Sequence, residues 1–195
     1  MLSLIKFKKT KSILNAAIEL IREKYDESRF EDGDCANLAL ALYQYIRNDL
    51  GIKDVDINLL YRVEKEKSDD TEFCRTLSHV FVGIDLNSLD ISGWMADERW
   101  VDRIFDDLEP SNSSLYNDTD YKTLKGGNVV EQVETECASY GVRFDPVFIS
   151  DMVELMKSNT FNHDDNEIGG LADITKATQI GGLTNKALKT GFYTS

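Results

Sequence analysis

A change of hydrophobic period near residue 50 constrains this chain more than any other feature. Before it, apolar residues recur at helical spacing. Ile13, Ala16, Ala17, Leu20, Ile21 and Tyr25 form one stripe over residues 12–25, with Glu, Lys and Arg between them. A second helix is predicted from about Cys35 to Asn48. It is rich in Ala and Leu, with Leu38, Ala39, Leu42 and Ile46 on a buried face and Gly51 as its stop. After Gly51 the period is two: Val55, Ile57, Leu59, Tyr61 and Val63 alternate with Asp56, Asn58, Leu60, Arg62 and Glu64. A strand with one apolar face and a helix with one apolar stripe each need a cover, and each can cover the other. The chain is therefore read as α+β, with the N-terminal helices packed on an antiparallel sheet.

The segment Glu64–Glu72 is almost all charge, which suits a solvated turn. Leu77–Ile84 reads as a second strand and Leu89–Trp94 as a third, giving an antiparallel hairpin. With Gly83-Ile84-Asp85-Leu86 as its loop, Val82 pairs with Asn87, Val80 faces Leu89 and His79 faces Asp90. Alternation places His79 on the face of Leu77 and Phe81. Further along, a short helix is expected over Glu98–Leu108 and a loop over Glu109–Asp120. Two more helices are expected: Asn128–Tyr140, closed by Gly141, and Asp145–Lys157, with Pro146 in its first turn. Residues 1–158 make one domain. Residues 159–195 form a glycine-containing tail, flexible or docked on a partner, in which Ile168-Gly169-Gly170-Leu171 is echoed by Ile180-Gly181-Gly182-Leu183.

Charge narrows the function classes. Asp plus Glu is 35 and Lys plus Arg 22, for a formal charge of −13. Such a chain repels phosphate backbones and anionic membrane surfaces, so neither nucleic acid nor membrane is an expected partner. No apolar window is long enough to span a bilayer. The apolar stretch at the basic start, Met1 to Lys11, is too short for a secretory leader. The expected location is the cytoplasm. Cys35, Cys74 and Cys137 are odd in number and widely spaced, which argues against a disulfide framework and against a zinc site of paired cysteines. Gly126-Gly127 reads as a turn, with no Gly-Lys-Ser/Thr after it to cradle phosphate. His163 with Asp164, Asp165 and Glu167 reads as a solvated acidic segment. No metal and no organic cofactor is implied.

Cys35 stands where a polar, glycine-containing loop meets an apolar helix. Amides at a helix start stabilise a thiolate and can supply part of an oxyanion hole. Asp32 and Asp34 oppose this, because like charge raises a thiol pKa. A histidine partner is therefore required. The chain has only two, and His79 is the one in an apolar strand. Asp90, between Leu89 and Ile91 on the next strand, is placed to orient its ring.

The segment Phe30-Glu-Asp-Gly33-Asp34-Cys35-Ala-Asn-Leu-Ala39-Leu-Ala41-Leu42-Tyr43, with Ser78-His79-Val80-Phe81-Val82 and Leu89-Asp90-Ile91-Ser92-Gly93, resembles the papain-like, transglutaminase-like cysteine hydrolase superfamily. The resemblance covers residues 28–95 and rests on the order Cys, helix, strand, His, strand, Asp. It implies Cys35 as nucleophile, His79 as general base and acid, and Asp90 as orienting residue. A peptide, amide or ester would be the substrate. Asp34 and Trp94 are candidates for substrate contact, with Trp100 near them. Papain-like members place a Gln before the cysteine to help hold the oxyanion, and Ser28–Asp34 contains neither Gln nor Asn. A non-catalytic binding or assembly protein on the same scaffold, such as a viral or phage component whose tail docks on another subunit, is the alternative expectation.

Overall fold

The computed structural model describes residues 4–84, 87–96 and 109–160. Over these the chain is α+β: four α-helices and one five-stranded antiparallel sheet. Helix α1 spans Leu4–Lys24 and α2 spans Cys35–Gln44. Strands β1 (Asp56–Glu66), β2 (Glu72–Ile84), β3 (Asn87–Asp90), β4 (Gly93–Ala96) and β5 (Leu115–Leu124) follow. Helices α3 (Val129–Ala138) and α4 (Pro146–Thr160) come last. The strand order is β4-β3-β2-β1-β5. The helix expected at Glu98–Leu108, Trp100, the tail beyond Thr160 and His163 all lie outside the described residues.

Helix α2 is the centre of the core. Ala36 through Tyr43 are all buried, and each fully buried Leu contributes about 1.5–3 kcal/mol. It packs on β2 and on α4, while α4 also packs on α1. Ile57, Leu59, Tyr61 and Val63 join the same core as the helices, as their alternation predicts. Leu60 is fully buried as well, so the second face of β1 is also covered there.

Three expectations need correction. The 109–120 region is a loop only to residue 114, and Leu115–Leu124 forms the edge strand β5 along the whole of β1. Its residues are too polar to announce a strand, with only Leu115 and Leu124 buried. Cross-strand partners hold it instead: Lys65 Nζ on Asp118 at 2.5 Å, Arg62 Nε on Asn117 at 3.0 Å and Thr123 Oγ1 on Asn58 at 2.7 Å.

The hairpin after β2 is tighter than expected. Val82 pairs with Leu89 and Ile84 with Asn87, leaving only residues 85–86 between the strands. Gly83 is a strand residue and not a loop glycine. A Cβ there would sit 2.5 Å from Asn58 Nδ2, so the Asn58 side chain would have to shift to admit one.

The third run divides. Ile91-Ser92 makes a turn and Gly93–Ala96 returns as β4. Gly93 has φ +94°, which glycine tolerates.

Candidate active site

Cys35, His79 and Asp90 come together, each carried by a different element. The path to Cys35 differs from the expected loop. A π-turn over Phe30–Asp34 runs directly into α2, and Arg29 and Cys35 on either side both have α-helical dihedrals. Gly33, at φ +129°, supplies the conformation this turn needs. A π-turn carries i→i+5 bonds, so helical pairing has begun before the cysteine. Helix α2 itself starts at Cys35, behind an Asp34 N-cap whose dihedrals (φ −82°, ψ 5°) are not helical, so the thiol stands at the helix start that the sequence predicts.

His79 is aimed by a bulge. Leu60 pairs with His79 and Tyr61 with Leu77, which leaves Ser78 as an extra residue in β2. Leu77 packs against the core with Tyr61. His79 lies beside Leu60 and stacks near Phe81, ring centroids 6.3 Å apart. Simple alternation, which put Leu77 and His79 on one face, is broken between them. Bulges re-aim side chains in this way, often beside active sites.

Asp90 completes the group along a diagonal. The shorter hairpin slides β3 by two residues against the expected register, an even step that keeps Asp90 on the His79 face. His79 Nε2 stands 3.3 Å from Asp90 Oδ2. The other oxygen, Oδ1, accepts the Ser92 amide at 2.7 Å. One carboxylate thus closes the β3–β4 turn with Oδ1 and faces the imidazole with Oδ2. The His79 side chain is also hydrogen-bonded to Cys35. With Nε2 turned to Asp90, Nδ1 is the ring nitrogen left for sulfur.

The electrostatics follow from burial and pairing. Relative exposure is 8% for His79 and 5% for Asp90, and Cys35 is half-buried. Burial alone would push the imidazole pKa down. Asp90 and Cys35 outweigh it and raise the value to about 9 from 6.5. The protonated ring is therefore the favoured form near neutrality, the state in which it would pair with a thiolate.

The surroundings are apolar. A narrow depression, too constricted to hold a water molecule, lies against Cys35, His79 and Asp90, walled by Phe30, Leu38 and Ile91 among others. The open cleft that a hydrolase of this type would need is not present among the described residues. Neither Asp34 nor Trp94 lines the depression. Asp34 is held by Arg29 Nε and accepts Asn37 Nδ2 at 2.7 Å. Trp94 is part of the core.

Of the other cysteines, Cys74 is exposed and Cys137 fully buried. Burial, with help from Cys35 and Glu136, pushes the Cys137 thiol up to about 12, which makes it inert at neutral pH. Among the described residues no three His, Cys, Asp or Glu side chains converge to hold a metal ion. No described helix is long and apolar enough to cross a membrane.

No family model, no curated protein and no solved structure matches the chain.

Proposed function

We propose that this protein is a cysteine hydrolase or acyl transferase built on a papain-like, transglutaminase-like core. The single observation that supports it most is His79 held between the Cys35 thiol and the Asp90 carboxylate. In this reading the Cys35 thiolate attacks the carbonyl carbon of an amide or ester. His79 gives its proton to the departing amine or alcohol as the tetrahedral adduct collapses to a thioester. The neutral ring then takes a proton from water, or from an acceptor amine, which attacks the thioester. The second adduct expels the Cys35 thiolate and the acyl group leaves. Asp90 holds the ring and offsets its charge in each protonated stage.

The test is acylation. Incubated with p-nitrophenyl acetate, the wild-type chain is expected to release nitrophenolate in a burst and to carry the acetyl group on Cys35, located by peptide mass spectrometry. His79→Ala should abolish both. Acetylation confined to Cys74 would sink the proposal.

A second reading keeps the scaffold without the chemistry: a binding or assembly protein, with partners contacted elsewhere on its surface or through the tail. The constricted depression beside the thiol favours it. Unlabelled Cys35 in a folded protein would establish this reading over the first.

A further inference from the structure

Asn37 is the one amide in the apolar run Cys35–Tyr43, and it is 1% exposed. A buried amide must find partners, and Asn37 has them on two other segments. Its Oδ1 accepts the Asp145 backbone N–H at 3.0 Å. Its Nδ2 donates to Asp34 Oδ1 at 2.7 Å and reaches the Arg143 carbonyl at 3.5 Å. Asp145 in turn caps α4, accepting the Val147 and Phe148 amides, each at 3.0 Å. Asp34 is also clasped by Arg29, whose spacing of five residues is the repeat of the π-turn it bridges. The Arg29 guanidinium lies over the Phe148 ring, 3.8 Å from its centroid, and Phe30 stacks on the same ring. One side chain thus joins the turn before the cysteine, the first turn of α2 and the N-terminus of α4.

We propose that Asn37 is a positioning residue for Cys35, clamping the back of the helical turn whose front presents the thiol to His79. The inference rests on the Cys35–His79 pair proposed above. Two residues along an α-helix are a rotation of about 200°, so Asn37 leaves the helix on the side away from Cys35. It touches no reacting atom. Its effect is to fix the rotation and height of the first turn of α2 against α4. A helix end carrying a π-turn has a competing α-helical register close at hand, and the Asn37–Asp34–Arg29 chain is what opposes it.

The experiment is the pH profile of Cys35 alkylation by iodoacetamide in the full chain, resolved by peptide so that exposed Cys74 does not contribute. In Asn37→Ala, alkylation of Cys35 at pH 6 should be about tenfold slower than in wild type, approaching the rate of a thiol without an imidazole partner. A merely structural role would lower the melting temperature and leave the profile alone. Asp34→Ala and Asp34→Asn keep the proposal testable should Asn37→Ala not fold. Loss of a neighbouring negative charge by itself lowers a thiol pKa. Asp34→Asn, which keeps an acceptor for Asn37, should leave the profile at or below wild type, and Asp34→Ala should raise it. A wild-type profile in folded Asn37→Ala, or identical profiles in the two Asp34 variants, overturns the inference. Equal Cys35 alkylation rates in wild type and His79→Ala would instead remove the pair on which it rests, and that outcome is read first.

Discussion

His79 Nε2 and Asp90 Oδ2 meet at 3.3 Å across two neighbouring strands, both side chains almost fully buried. A buried carboxylate beside a buried imidazole is stable only with the ring protonated or the carboxylate otherwise bonded. Here the carboxylate has the Ser92 amide and the ring has Cys35. Proton occupancy at this site should therefore be measurable.

The chain's two histidines make that measurement simple. In NMR titrations the His79 ring is expected to change state near pH 9, and His163→Gln assigns the signals. The sign for stability follows. A folded pKa of about 9 lies above the unfolded 6.5, so the stabilisation is fully present below pH 6.5 and is lost as pH rises through 9. Urea denaturation between these limits should show that loss in wild type and not in His79→Gln. A ring titrating at or below 6.5 would refute the pairing.

The thiol should report the same pair. At pH 7 iodoacetamide is expected to alkylate Cys35 faster in wild type than in His79→Ala, because the imidazole activates the thiol. Equal rates would show that the imidazole does not act on the sulfur.

Asp90 serves both the turn and the ring, so its two substitutions should differ. Asp90→Ala removes both contacts and takes the carboxylate from beside a buried imidazole, at a cost of about 3–5 kcal/mol in urea unfolding. Asp90→Asn can still accept the Ser92 amide and should cost less, about 1–3 kcal/mol. In both variants the His79 titration should fall well below 9, because burial then dominates. An unmoved titration would place the charge partner elsewhere.

Gly83→Ala tests the packing that sets the hairpin register. The new methyl would meet Asn58 Nδ2 at 2.5 Å, and Asn58 is also bonded to Thr123. Overpacking of this kind costs about 1–3 kcal/mol. Asn58→Ala should relieve it, so the double variant should lose less stability than the two single changes added together. Strict additivity would mean that Asn58 is not the obstacle.

The described helices and the first strand were legible because their apolar residues keep a period over many positions, as in Leu38–Leu42–Ile46 and Ile57–Leu59–Tyr61, although α1 begins at Leu4 and β2 at Glu72, ahead of their apolar runs. The order of Cys35, His79 and Asp90 along those elements was legible too. Their register was not. Gly83 looks like a turn residue in sequence, and only its pairing with Asp56 and Ser88 on the flanking strands makes it a strand residue. Nothing in Leu77-Ser78-His79 marks Ser78 as the extra residue of a bulge. Strand β5 escaped because its pairing energy resides in partners on β1 that no local window contains. Asn37 did carry a signal, a lone amide in an apolar run, which demands partners without saying where they are.

The clamp at Asn37 also has a place in time. Cys35, His79 and Asp90 all leave the ribosome early, but the Asp145 amide that Asn37 accepts lies 108 residues further along the chain. Synthesis proceeds from the N-terminus, so the nascent helix α2 has its thiol long before it has its backstop. The pair is set only when α4 docks. A chain truncated before Asp145 would carry all three groups and lack the contact that aligns the first.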